Sequence, residues 1–241
     1  MKRMISITVT AVALSSSFVI GDDRGQAIPG LSAGTKPQLI YSDAFEREHL
    51  ADPMKFAGAW RPVAKKVKNG NTIKLKDGRL IVIHNPDVKH PLGLFYSLHK
   101  KDYLKDMAVY ARFRLTKVDD SLDIGLTGEN FTEGHSRICG LKVTHTGFDV
   151  TDTTGKGKHE SRSVKTPIEM NTWHTVFLVI QGTKASVHID EMPPMTLESK
   201  GLSCEKRTLK LGTKTGFEVD ELKLWSLAGQ SQSPPSRTKI E

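Results

Sequence analysis

Cysteine is scarce in this chain of 241 residues, which contains only Cys139 and Cys204. Without a C-x-x-C pair or a cysteine–histidine spacing, the sequence excludes the common structural zinc motifs. In an oxidising compartment two outcomes are open for the two thiols. They pair as a disulfide, or Cys139 stays a buried thiol within the strand-like run 137–143.

Long hydrophobic runs are also missing beyond the N-terminus, so no membrane span is predicted there. The first 21 residues differ, because Lys2 and Arg3 precede an apolar stretch that ends in small residues. This order is typical of a secretory signal peptide. Cleavage is expected after Gly21, with Ala27 as the alternative and an uncleaved anchor as the competing interpretation. The protein is therefore expected to be secreted, periplasmic or held in the cell envelope.

Blocks of like charge are absent, although Lys and Arg outnumber Asp and Glu by 35 to 27. The chain has neither a basic-aromatic motif nor a recognition helix, which excludes nucleic acid as its partner. A spread positive charge suits contact with an anionic polysaccharide, and it serves solubility equally well.

A 3.6-residue period is almost absent, and a period of two takes its place. The runs 107–115 and 122–126 both alternate, so we predict a hairpin with a turn at 117–120. Further strands are predicted at 39–45, 72–76, 79–84, 93–98, 137–144, 146–151, 160–166, 173–180, 185–189, 206–212 and 216–226. So many short strands favour an all-β, antiparallel jelly-roll β-sandwich. The predicted organisation is a signal peptide (1–21), a flexible lead-in (22–38), the β-sandwich domain (39–227) and a disordered tail (228–241).

Five short runs carry a family resemblance. They are SDAFER at 42–47, KDGRL at 76–80, NTWHTV at 171–176, VHID at 187–190 and FEVDELKLW at 217–225. They resemble strands of concanavalin A-like lectin/glucanase domains, most of all those of secreted bacterial proteins with laminin G-like or 3-keto-disaccharide hydrolase-like domains. The resemblance implies a concanavalin A-like fold and a poly- or oligosaccharide partner. It also implies calcium as an optional ion, with Asp43 or Asp220 as ligand.

The E-x-D-x-x-E strand of the retaining glucanases with this fold is not present. That strand places two carboxylates on one sheet face. The nearest match here is the run 218–223, EVDELK, in which Lys223 replaces the second Glu. The catalytic pair of those enzymes is therefore not carried over. The apolar alternation shifts at Asp220, which predicts a β-bulge there.

The predicted ligand-binding residues lie on the polar face of the 107–126 hairpin and in the loop after it. Sugars bind to flat aromatic rings and to planar hydrogen-bonding groups, which Tyr, Arg and Asp provide. The residues are Tyr110, Arg112, Arg114, Asp123 and His135. The alternative is that Arg112 and Asp123 form a cross-strand ion pair on a solvated face.

The function expected from these features is an exported carbohydrate-binding or adhesive module. One alternative is a glycoside or 3-keto-disaccharide hydrolase or lyase of the same fold. A second is a structural or protein-interaction domain of the cell envelope. These three functions rest on analogy of fold, because the sequence identifies no catalytic residue.

Overall fold

The computed structural model describes residues 19–20, 27–47, 60–62, 70–89, 91–99, 102–128, 137–153 and 160–227. Those residues form β-strands, one 3-10 turn (Lys200–Ser203) and no α-helix. The strands are β1 (Val19–Ile20), β2 (Ala27–Ile28), β3 (Gln38–Asp43), β4 (Trp60–Pro62), β5 (Thr72–Leu75), β6 (Leu80–Ile83), β7 (Leu92–Ser97), β8 (Met107–Arg114), β9 (Ser121–Thr127), β10 (Arg137–Thr144), β11 (Gly147–Asp152), β12 (Ser161–Val164), β13 (His174–Gln181), β14 (Lys184–Ile189), β15 (Met195–Glu198), β16 (Thr208–Thr213) and β17 (Gly216–Ser226).

Two antiparallel sheets stack on each other. The seven-stranded sheet has the order β12-β11-β10-β9-β16-β7-β4, and the eight-stranded sheet has the order β15-β14-β13-β8-β17-β6-β5. Strand β3 also pairs with β17, so the start and the end of the domain lie side by side. This arrangement confirms the predicted antiparallel jelly-roll β-sandwich.

One hydrophobic core fills the space between the sheets. Alternate residues of each strand enter it, for example Val109 and Phe113 of β8 and Leu122 and Ile124 of β9, all fully buried. Burying a side chain of this kind contributes about 1.5–3 kcal/mol relative to leaving it exposed. The intervening residues face outward, on the outer surface of each sheet.

The predicted 107–126 hairpin is wrong, because β8 and β9 lie in different sheets. The segment between them crosses from the eight-stranded to the seven-stranded sheet. Asp120 fixes this crossing, since its buried carboxylate accepts hydrogen bonds from the Thr116 and Lys117 amides at 2.8 and 2.9 Å. Two strands that face each other across a core show the same alternation of apolar and polar residues as two paired strands of a hairpin. The alternation therefore does not distinguish the two arrangements.

Residues 27–35, here called the strap, pass over the outer surface of the eight-stranded sheet. Ile28 is fully buried there and Leu31 is nearly so, against Val179 and Trp225. Composition alone places this stretch in a flexible lead-in, because it contains two glycines and a proline. Its two large apolar side chains supply the contacts that order it.

The end of β3 is held in place by Asp43. Its carboxylate accepts hydrogen bonds from the Tyr41 hydroxyl (2.5 Å), the Phe45 amide (2.9 Å) and both terminal nitrogens of Arg47 (2.5 and 2.8 Å). Burial is the largest cause that raises the pKa of Tyr41, followed by its bond to Asp43. Since both oxygens of Asp43 already serve these donors, the structure argues against Asp43 as a calcium ligand.

Replacing Asp43 by Ala is expected to lower the free energy of unfolding by about 3 kcal/mol, because buried donors lose their acceptor. Glu205→Ala is the control, since the Glu205–Arg207 pair is well exposed and its loss should cost about 0.5 kcal/mol. Urea denaturation of both variants measures the difference. Equal costs would contradict the role given to Asp43.

Most of the predicted signal peptide and all of the predicted tail (228–241) lie outside the described residues. Within the described ranges, no helix has the length and apolar character needed to cross a membrane.

Candidate functional site

The two predicted ligand arginines of β8 lie on the outer surface of the eight-stranded sheet, where they bind carboxylates of β17. Arg112 donates to Asp220 at 2.8 Å and Arg114 donates to Glu218 at 2.5 Å. The indole of Trp173 lies near both guanidinium groups, with ring-centre distances of 5.1 and 4.9 Å. The alternative Arg112–Asp123 ion pair is therefore wrong, and the partner of Arg112 is Asp220.

Tyr110 is not an exposed sugar platform in this structure. The residue is 4% exposed, and its ring packs against Phe177 at a centroid distance of 4.9 Å, in the cluster covered by the strap. Sequence reasoning missed this because the strap follows no strand pattern. His135, the one predicted ligand residue in a loop, lies outside the described residues.

The run 218–223 also fails to supply a free pair of acids. Glu218 and Asp220 bind arginines, and Glu221 lies 3.0 Å from the ammonium of Lys223. Burial raises the pKa of Asp220, against the opposing effect of Arg112. The predicted bulge is confirmed, since the register with β8 shifts between Val219 and Glu221.

Of the two outcomes left open for the thiols, the structure has the unpaired one, because Cys139 and Cys204 are not bonded to each other. Cys139 is buried in the core side of β10, as the buried-thiol alternative predicts, whereas Cys204 is exposed after the 3-10 turn. Among the residues that the structure describes, no three His, Cys, Asp or Glu side chains come together as a metal site.

Asp123 lies on the other side of the molecule, on the outer surface of the seven-stranded sheet. Its neighbours in β9, Leu122 and Ile124, are buried in the core, so Asp123 faces outward. Lys142 of β10 is directly opposite it, and Asp149 of β11 is directly opposite Lys142. Two acids and one cation thus follow one another across three adjacent strands.

Glycines occupy much of the same surface. Outward positions pair across the strands to form one row, Gly93, Gly212, Asp123, Lys142, Asp149 and Ser163. The next row is Phe95, Lys210, Gly125, Gly140, Thr151 and Ser161. We call these two rows the glycine face. Since glycine weakens a strand interior, four glycines at outward positions indicate that another group approaches the backbone closely.

Part of this space is used by Lys210. A Cβ atom on Gly93 would lie 2.8 Å from the Lys210 Cε, and one on Gly212 would lie 3.0 Å from it. The two glycines therefore let the lysine side chain lie along the sheet. Its ammonium group is 5.7 Å from the centre of the Phe95 ring. Within the described part of the chain, this surface presents an aromatic ring, two ammonium groups and two carboxylates.

Sequence reasoning found Asp123 but missed Phe95, Lys142, Asp149 and Lys210. The available signal was the outward glycine in each of four predicted strands, because glycine is depleted from strands unless close approach requires it. That signal marks the surface without saying which strands are neighbours.

Two clefts are formed by the described residues. One of about 280 Å³ is lined by the acids Asp119, Asp120 and Glu218, but the Asp120 carboxylate is committed to its own loop and Glu218 binds Arg114. The other, of about 340 Å³, lies between Ser163, at the edge of the glycine face, and Met192, and its described lining residues include no acid. We therefore take the glycine face, where Asp123 and Asp149 lie on adjacent outward positions on either side of Lys142, as the candidate site.

No known family profile and no curated protein sequence matches the chain. Solved structures do. The non-specific endo-β-1,3(4)-glucanase SCLam of family GH16 is 12% identical, with a TM-score of 0.58 over 81% of this chain and 96% of its own. The endo-β-1,3-glucanase of Pyrococcus furiosus is 14% identical, with a TM-score of 0.59 over 82% of this chain and 97% of its own.

The catalytic domain of a laminarinase from Thermotoga petrophila RKU-1 is 12% identical, with a TM-score of 0.59 over 82% of this chain and all of that domain. At these identities the likeness establishes the fold and not the reaction. The chain has the concanavalin A-like jelly-roll fold that these GH16 glycoside hydrolases share.

Proposed function

We propose that this chain is a glycoside hydrolase that binds a β-linked oligosaccharide across the glycine face. The observation that carries the proposal is the pair of outward carboxylates, Asp123 and Asp149, on either side of Lys142 in a row that also contains Gly93 and Gly212. Glycoside hydrolysis commonly uses two such acids. Phe95 offers a ring for stacking, and Lys142 and Lys210 offer donors for sugar hydroxyls.

The separation of the two acids favours an inverting reaction. They lie two strand spacings apart, which places their Cα atoms roughly 10 Å from each other. Inverting enzymes hold their carboxyl groups about 6.5–9.5 Å apart, and retaining enzymes about 5–5.5 Å. Side chains that lean slightly toward Lys142 reach the inverting range. A double displacement by the E-x-D-x-x-E pair is not available to this chain.

In this mechanism Asp149, the more exposed acid, removes a proton from water as the water oxygen bonds to the anomeric carbon. Asp123 gives its proton to the glycosidic oxygen as that carbon–oxygen bond breaks. One water is consumed, and the proton lost by Asp123 is replaced by the one taken up at Asp149. Lys142 lies between the two acids.

The structural neighbours suggest a substrate class to test. A mutant of SCLam was crystallised with 1,3-β-D-cellotriosyl-glucose and presents 1,3-β-D-cellobiosyl-glucose at its active site. We therefore propose β-1,3- or mixed-linkage β-glucan as the first substrates to test, with a 3-keto-disaccharide as a second class suggested by the sequence resemblance. We also propose export, on the basis of the signal-like first 21 residues.

The test is to incubate the purified protein with laminarin, mixed-linkage glucan and a 3-keto-disaccharide, and to follow reducing ends and the anomer first formed by NMR. Release of the inverted anomer is the expected result. Release of the retained anomer would overturn the mechanism, and absence of product from every substrate would overturn hydrolysis of these glycans.

A non-catalytic oligosaccharide-binding module is the second candidate. It is favoured by Lys142, whose position between the two acids suits hydrogen bonding as well as catalysis. Calorimetry on the same substrates separates the two functions. Binding without any product supports the module, whereas binding with product supports the hydrolase.

A further inference from the structure

Three aromatic rings lie side by side on the outer surface of the eight-stranded sheet. Tyr110 and Phe177 have centroids 4.9 Å apart, and Phe177 and Trp225 have centroids 6.3 Å apart at an interplanar angle of 27°. The strap covers them, with Ile28 and Leu31 in the same cluster. We call this set of rings the covered face. It is on the opposite side of the molecule from the glycine face, so it is a separate surface.

Two polar atoms under or beside the strap have no hydrogen-bond partner within the described part of the chain. They are the indole nitrogen of Trp225, a residue that is fully buried, and Nε2 of His188. A buried polar atom without a partner is costly, and it commonly marks a place where another group binds. These two unpaired atoms do not contribute to the stability of the fold.

The strap itself contacts this surface in the way that a sugar would. Ser32 donates to Gln181 Oε1 through its amide and its hydroxyl, at 3.2 and 3.3 Å, and Gln181 Nε2 donates to the Thr35 hydroxyl at 3.1 Å. Apolar groups cover the rings while hydroxyl groups bind the amide beside them. Aromatic rings bordered by planar polar groups are the pattern that carbohydrate sites use.

The strap is also lightly attached. Residues 27–35 contain no charged side chain, so neutral hydrogen bonds and two apolar residues carry its attachment. Gly30 has a φ of +73°, and a Cβ atom there would lie 2.9 Å from His188 Nε2. The positive φ and this close approach to His188 both favour glycine at this position.

From these observations we propose that the strap is an internal pseudo-ligand that covers a second binding face for a neutral oligosaccharide. When the strap lifts, the Trp225 N–H donates to a sugar hydroxyl, His188 Nε2 accepts from one, and Gln181 exchanges the strap hydroxyls for sugar hydroxyls. Because the covered form does not bind, the strap reduces the apparent affinity by the fraction of molecules that are open.

The experiment compares the full chain with a double variant, Ile28→Ser and Leu31→Ser, whose strap has lost its apolar contacts. Cellohexaose is the probe, binding is measured by calorimetry, and the Trp225 indole N–H is followed by NMR. The double variant is expected to bind about tenfold more tightly than the unaltered chain, with a shifted Trp225 signal. Adding Trp225→Phe should remove that gain, and adding Trp173→Phe, a change just before β13 and outside the covered face, should not.

The proposal is overturned if the double variant binds no more tightly than the unaltered chain, or if its gain survives Trp225→Phe. Should circular dichroism show that the double variant is unfolded, Gly30→Ala takes its place, because it displaces the strap from His188 and keeps both apolar contacts. An unchanged affinity in folded Gly30→Ala also overturns the proposal. This binding result does not depend on hydrolysis, which is tested separately with variants of Asp123 and Asp149.

Discussion

Replacing Asp123 by Asn is expected to lower kcat/KM for β-glucan hydrolysis by about 10²–10⁴-fold, the usual contribution of a general acid. The amide keeps the size and the hydrogen-bonding capacity of the side chain but has no proton to give to the leaving oxygen. Substrate affinity is therefore expected to change by only about threefold, which assigns the loss to the chemical step. Reducing-end assays and calorimetry on the same preparation measure both quantities.

Two further variants make this result specific. Asp149→Asn should cause a loss of similar size, since each acid is useless without the other. Asp220→Asn is the matched control, because Asp220 is an acid bound to Arg112 on the other sheet. Activity that disappears in Asp220→Asn and survives in Asp123→Asn would move the site to the closing strand and contradict the glycine face.

The strands were predictable because the signal that reports them is local. A period of two identifies which residues of one strand are buried, and the runs 107–115 and 122–126 both form strands near those bounds. It does not identify the neighbouring strand. The sequence therefore could not distinguish a hairpin from a crossing between sheets, and the hydrogen bonds of Asp120 that fix the crossing are formed only once the loop has folded.

Because the period reports on one strand at a time, it also restricted what could be predicted of the candidate site. Asp123 was predicted to face outward, and it does, but the outward residues of the strands beside it were not predictable. Tyr110 also points outward from its sheet and is nevertheless buried, because the strap lies on it. The bulge at Asp220 was predictable, since a shift in the apolar alternation lies within a single strand.

Gly147 is the position at which a single methyl group is expected to do most damage to the fold. Its φ is +141°, and a Cβ atom there would lie 2.0 Å from the backbone oxygen of Val164 in β12. That oxygen cannot move without breaking the pairing of β12 with β11, the strand that carries Asp149. Gly147→Ala is therefore expected to lower the free energy of unfolding by about 4 kcal/mol.

Gly182 supplies the comparison, because it too has a positive φ, +56°, but no atom lies within 4 Å of the Cβ position. Gly182→Ala is expected to lower the free energy of unfolding by only about 1 kcal/mol, the cost of the left-handed backbone conformation. Urea denaturation of the two variants separates the collision from the backbone strain. A cost for Gly147→Ala no larger than that of Gly182→Ala would mean that β12 can move away from β11. The edge of the glycine face beyond Asp149 would then be flexible rather than fixed.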